Sequence, residues 1–297
     1  MPAESGIGLG LSVERIEGDT WHLDGGALAA HSVSAGVLSA EITVDQLVLP
    51  DEHGALEDLH LTCDFVWSES AGWHCSDGVL RLGDSPVGPQ ESQWSGHWGT
   101  DGALAVDVAD VRLADGHAAI ELQRRSDEWS LEMRVHRLAL DRLVRIADLP
   151  GVPADWGLQG RLNGTVALHG GRAPLKAKTA LVIDRLGFAS PDGAHAAEDI
   201  IVRVDLSGRA RPAGWQFDGV LRWPAGMLYS EPLFLDAATA PVTLSFDGAV
   251  DAAGELLELQ SAALGLQGAF QLSGAGRFSI RDATLLELTV AAHTENP

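Results

Sequence analysis

Apolar and polar residues alternate with period two along most of the chain, the signature of half-buried strands. Leu59, Leu61, Cys63, Phe65 and Trp67 share one parity, against His60, Thr62 and Asp64. Trp129, Leu131, Met133 and Val135 alternate with Ser130, Glu132, Arg134 and His136. Ile200, Val202, Val204 and Leu206 oppose Arg203 and Asp205. Trp215, Phe217, Leu221 and Trp223 oppose Gln216, Asp218 and Arg222, and Val242, Leu244 and Phe246 oppose Thr243, Ser245 and Asp247. One apolar face per strand, with little helix between, predicts an antiparallel sheet. Turn signals recur at Asp24-Gly25-Gly26, Asp77-Gly78, Asp101-Gly102, Asp115-Gly116, Asp192-Gly193 and Ala253-Gly254.

One stretch breaks the alternation. Ala139–Leu149 places Leu140, Leu143, Val144 and Ala147 at helical spacing, with Pro150, Gly151 and Pro153 as stops. The expected organisation is a first β unit over 1–138, a helix and linker over 139–154, and a second β unit over 155–297. Strands near 129–137 and 157–168 are placed to pair and make one continuous sheet, which leaves fewer exposed edges.

The two halves are related by an internal repeat. Ala71–Leu82 reads AGWHCSDGVLRL and Ala213–Trp223 reads AGWQFDGVLRW, matching after a one-residue slip. Upstream, Glu57-Asp58-Leu59 answers Glu198-Asp199-Ile200, and Asp45-Gln46-Leu47 answers Asp184-Arg185-Leu186. The repeat is about 140 residues long, the offset drifting from 139 to 142 over these matches.

Composition narrows the function. The formal net charge is −22, with 42 acidic and 20 basic residues. Nucleic acid and anionic headgroups held by electrostatics both need clustered Lys and Arg, so the balance argues against them. No stretch approaches the ~20 apolar residues of a membrane-spanning helix, and Met1–Leu11 lacks the basic and apolar regions of a signal peptide. The two cysteines, Cys63 and Cys75, flank the first Trp-led hairpin. They read either as a structural disulfide formed in an oxidising compartment or as two small buried thiols.

No catalytic constellation or cofactor motif emerges. His60-x-x-Cys63 and His74-Cys75 cluster by hairpin pairing, but residues three and one apart on a strand point to opposite faces, so a tetrahedral metal site is disfavoured. Ser39 and Ser273 lack the glycines of a nucleophile elbow. Gly8-Leu9-Gly10 and Gly274-Ala275-Gly276 do not continue into a phosphate-binding loop. Paired carboxylates (Asp51-Glu52, Glu57-Asp58, Asp127-Glu128, Glu198-Asp199) sit in turns or at strand starts, where solvation explains them. A glycosidase pair, held ~5–10 Å apart across a cleft, is the enzymatic alternative. Trp21, Trp73, Trp129, Trp156 and Trp215 each follow a turn and open a strand. They serve either as packing at the sheet margin or as amphipathic rings beside an acyl chain.

The meandering strands, the Trp-led leads, and the short helix before WGLQGRLNGTVALHG (156–170) resemble the AsmA-like superfamily of Gram-negative envelope proteins. The nearest pattern is that of YdbH-type chains, carried by LVIDRLGFASPDGAHAAEDIIVRVDLSG (181–208) and GWQFDGVLRWPAGMLYSEPLFLD (214–236). The resemblance covers most of 40–250. It implies an all-β fold, a long curled antiparallel sheet forming a trough or taco-like groove, whose apolar face carries phospholipid between inner and outer membranes. On that basis the chain is expected to be a segment of a periplasmic protein. Its parent would be anchored in the inner membrane and would contact membrane through parts outside this chain. The groove candidates are Leu59, Leu61, Phe65, Trp67, Trp73, Leu131, Met133, Ile200, Val202, Val204, Trp215, Phe217, Leu221, Val242, Leu244 and Phe246. The alternative is an envelope scaffold or secretion accessory module, its apolar faces closed as a core and its sheet edges pairing with partner proteins.

Overall fold

The computed structural model describes residues 8–18, 22–48, 55–83, 88–146, 155–267, 270–280 and 284–294. Trp21, the Asp51-Glu52 pair, Ala147 and the expected helix stops at Pro150, Gly151 and Pro153 lie outside these. The described residues form eighteen strands and one short helix, so the fold is all-β and antiparallel.

The chain divides into two units, Met1–Leu131 and Glu132–Pro297. The first holds β1 (Gly8–Glu17), β2 (His22–Ser34), β3 (Val37–Val48), β4 (Ala55–Ser68), β5 (Gly72–Leu82), β6 (Gln90–Trp98), β7 (Leu104–Leu113) and β8 (Gly116–Arg125). Each pairs with the next in sequence, an open meander. The boundary falls inside β9 (Glu128–Ala139), a few residues before the position expected from sequence.

The second unit continues through α1 (Leu140–Ile146), β10 (Gln159–Gly170), β11 (Lys176–Ala189), β12 (His195–Arg211) and β13 (Gly214–Ser230). After these come β14 (Leu233–Asp236), β15 (Val242–Asp251), β16 (Leu256–Leu266), β17 (Phe270–Ser279) and β18 (Thr284–Thr294). It too is a meander, except that β13 pairs with the short β14 through its far end and with β15 through its near end. At seven residues α1 is too short to hold itself. The Arg145–Asp141 pair at 2.8 Å helps by a few tenths of a kcal/mol. Tertiary anchoring comes from Leu140, which is buried and packs where a Cβ on Gly160 of β10 would stand.

Strand by strand the two halves correspond. β2 to β5 begin at 22, 37, 55 and 72, and β10 to β13 begin at 159, 176, 195 and 214, offsets of 137 to 142. β6 to β9 correspond to β15 to β18 at offsets of 152 to 156. The jump between the two sets is taken up by the longer β13 and by β14, which has no counterpart among the described residues of the first half.

Two of the turn signals prove not to be turns. Asp24-Gly25 lies within β2, and Asp77-Gly78 lies within β5. Ser76-Asp77 faces a single residue of β6, because Cys75 pairs with Gly96 and Gly78 with Trp94. This bulge is the physical form of the one-residue slip between the two repeat copies. Gly78 is needed because the Trp94 ring lies where its Cβ would be; in the second copy Gly219 stands in the same relation to Phe246. Gly72 and Gly214 open the two Trp-led strands with φ of 90° and 131°, and a side chain at either would meet the backbone of the next strand.

Three of the four upstream repeat segments carry a left-handed residue; Asp45-Gln46-Leu47 stays in even register. Asp58 and Asp199 both take left-handed backbone conformations, φ 51° and 49°. In the second unit Arg137, Gly160, Arg185, Asp199 and Gly226, on β9 to β13, all have positive φ and lie at or beside shifts of register in β10 to β13. They make a seam across adjacent strands, each bulge bending its strand and adding twist. Asn163 stitches it, accepting the Arg137 amide at 2.9 Å and donating to Asp184 at 3.0 Å.

Candidate functional site: the apolar face

Register fixes which side chains share a face, because alternate residues of a strand point to opposite sides. In the second unit one row runs Gly164, Leu181, Val204, Leu221, Leu244, Leu264, Leu272, Ala292 across eight strands. The row beside it runs Val166, Thr179, Leu206, Gly219, Phe246, Ala262, Gly274, Val290. A third runs Leu168, Ala177, Gly208, Phe217, Gly248, Leu259, Gly276, Leu288. Across these three rows the one polar side chain is that of Thr179. The rows between them face the other way and carry Asp205, Asp218, Lys178 and Asp247, and the next row of that face carries Arg203 and Arg222.

The first unit is built alike. Leu11, Leu28, Ile42, Leu61 and Leu80 form one row and Val13, Gly26, Val44 and Leu59 another. Farther along, Gly78, Trp94, Val108 and Ile120 are in register. Aromatic side chains tie neighbouring strands on this face: Trp67 to Trp73 at 5.2 Å, Phe65 to Trp94 at 6.1 Å, Phe217 to Phe246 at 6.1 Å.

The groove candidates on β4, β5, β12, β13 and β15 all fall on this face. These are Leu59, Leu61, Phe65 and Trp67 on β4, Trp73 on β5, Ile200, Val202 and Val204 on β12, Trp215, Phe217 and Leu221 on β13, and Val242, Leu244 and Phe246 on β15. Leu131 and Met133 have the matching parity on β9 and are half-buried. Most of the face is half-buried, and it reaches the outermost strands with Leu9 and Leu11 at 66% and 58% exposure and Leu288 and Val290 at 55% and 54%. Only twelve apolar residues among those described are buried. They concentrate near the bulges and α1, with Leu138, Ala139, Leu140 and Ile200 together in the second unit. Within each unit, then, no second layer of described residues covers the apolar rows.

Cys63 and Cys75 are joined in a disulfide, with Cα atoms 6.1 Å apart. Both belong to the apolar face, Cys63 paired with Ala40 and Cys75 with Gly96, and the bond crosses the register shift between β4 and β5. His60 points to the opposite face, where its Nε2 is 2.6 Å from Glu41.

Sequence reasoning missed two polar groups on the apolar face of β6. Ser92 Oγ and Trp94 Nε1 are buried without a partner among the described residues. It also missed a turn beyond the seam. There Trp156 stacks on Phe188 and His195, His195 Nδ1 is 2.9 Å from Ser230 Oγ, and the Ser190 hydroxyl donates to Asp192 at 2.6 Å. That bond, helped by the Ala194 amide, holds the Asp192 carboxyl below its ordinary value. No helix is long and apolar enough to cross a membrane among the described residues.

No family model matches the chain, and no curated protein or solved structure matches it.

Proposed function

We propose that the apolar face of each unit is a binding surface for acyl chains. The chain is then a non-enzymatic segment of an AsmA-like periplasmic lipid-transfer protein that moves phospholipid between the inner and outer membranes. The observation that carries this reading is the apolar register, broken only by Thr179, eight strands wide in the second unit and open to its outermost strand. At about 4.8 Å per strand, eight strands span roughly 34 Å, and a ten-residue strand runs about 33 Å. Each methylene leaving water for such a surface gains ~0.8 kcal/mol. Because the rows repeat the same aliphatic chemistry, a chain shifted by one row finds equivalent contacts, which favours sliding over trapping. Lipid extraction and native mass spectrometry of the purified protein test this. Bound phospholipid or fatty acid is expected, and a lipid-free protein that also fails to take up added fatty acid contradicts it.

The scaffold alternative, with apolar faces closed as a core, is less well supported, because the rows within each unit stay half-exposed.

A further inference from the structure

The chain has two lysines in 297 residues, and both, Lys176 and Lys178, lie on the polar face of β11. Register sets Lys176 directly opposite Arg209 of β12, with Arg211 two residues along the same strand and face. Like charges placed opposite each other in a sheet are destabilising. On the same face Arg222, set opposite Arg203, pairs with Asp205 at 2.7 Å. Among the described residues no carboxylate comes within salt-bridge distance of Lys176, Lys178, Arg209 or Arg211.

The two guanidinium groups converge on one neutral acceptor. Arg209 donates to Gln216 Oε1 from Nε at 3.0 Å and from Nη2 at 2.6 Å, and Arg211 donates to the same oxygen from Nη2 at 3.1 Å. An amide oxygen thus occupies the focus of three charged donors, where an anionic oxygen would bind more strongly. The two lysines, Arg209 and Gln216 border a depression of about 360 Å³ that Asp218 and Asp247 also line. The cluster sits beside the β10–β11 and β12–β13 turns, the end of the sheet away from the bulge seam. On the opposite face of that same end stands Trp215, 37% exposed.

We propose that this cationic rim binds a phosphate group. Phosphate suits it because several oxygens can engage two forked guanidiniums and two point-charge ammoniums at once. The site therefore runs against the overall acidity of the chain, and its selectivity for phosphate is local. Only the source of the phosphate rests on the acyl-chain reading, in which it would be the headgroup of an amphiphile whose tail turns over the rim past Trp215.

Two probes test this on the full chain: inorganic phosphate, by calorimetry, and vesicles of phosphatidylcholine with and without phosphatidic acid, by co-sedimentation. The comparison is between the wild type, the double variant Lys176→Gln/Arg209→Gln, and the control Arg277→Gln, which lies on the same face of β17. Binding of either probe by the wild type is expected, weakening with salt, and falling about tenfold for each cation removed while the control is unchanged. Binding of inorganic phosphate alone assigns a free phosphate as the ligand. Co-sedimentation only with phosphatidic acid assigns a lipid headgroup. No binding of either probe, or equal binding by wild type and double variant, overturns the proposal. Both variants should keep the circular dichroism of the wild type, since the residues are exposed. Displacement of a fluorescent fatty acid from the same samples reads the apolar face separately, so either reading can fail without the other.

Discussion

The hairpins β4–β5 and β12–β13 descend from one pattern and solve the same problem with different chemistry. The second strand of each opens on a glycine and a tryptophan, the first strand of each holds an aspartate in the left-handed region, and both place a glycine beneath an aromatic ring of the following strand. They differ in what braces the middle. In the first, Cys63 and Cys75 are bonded across the bulge. In the second, Val204 and Phe217 take the corresponding places, Phe217 packs edge-on against Phe246, and the strands lengthen to seventeen residues each. Backbone devices and one apolar face are thus common to both copies. The disulfide and the cationic rim are local additions.

The sharpest way to break that common frame is at the strand-opening glycine. Gly214→Val forces a branched side chain into positive φ and against the Val250 carbonyl, and should cost about 3 kcal/mol or more. Gly72→Val should do the same to the first unit. Chemical denaturation followed by tryptophan fluorescence measures both, and a loss in one copy only would mean that the copies are not equivalent.

Removing the brace separates them. Cys63→Ser/Cys75→Ser should cost the first unit about 2–3 kcal/mol, given a separation of 12 residues. A reductant should lower the melting temperature of the wild type but not of the double variant. Hydrogen exchange should localise the loss to β4 and β5, and an equal loss in β12 and β13 would refute the local role.

At the seam the expected effect is smaller. Asp199→Val should cost about 1–2 kcal/mol because a β-branched residue resists φ near 49°, whereas Asp199→Gly should cost nothing. The same ordering should hold at Asp58, again by denaturation.

The smallest effect concerns the β11–β12 turn of the second unit. The Asp192 carboxyl is held below its ordinary value of 3.8, chiefly by the Ser190 hydroxyl. A depressed carboxylate stabilises the fold above that ordinary value, and the contribution is lost as pH falls through the lower folded value. Amide exchange at Ala194 and His195 should therefore quicken in acid below 3.8, and Asp192→Asn should flatten that dependence.

Alternation made the apolar face legible in the sequence, because parity survives in every strand between bulges. The bulges were visible only as repeat markers. Ile183 to Leu186 and Val108 to Val111 each step by three where an even strand steps by two. That step is the mark of a left-handed residue or a shifted register. Asp77-Gly78 misled because the dipeptide favours turns, yet here glycine serves to admit the Trp94 ring, a contact made by a different strand. The cationic rim was hidden by composition. Lys176 and Arg209 are 33 residues apart, and only the register brings them opposite each other in so acidic a chain.

The central claim is that one face of the sheet receives acyl chains and the other does not. Val220 and Leu221 are neighbours on β13 that point to opposite faces. Titration with a fluorescent fatty acid, comparing Leu221→Glu with Val220→Glu in protein shown to be folded, tests it directly. Saturable binding by the wild type is expected, weakened at least about tenfold by a charge on the apolar face and unchanged by one on the polar face. No binding by the wild type, or equal weakening by both substitutions, would contradict it.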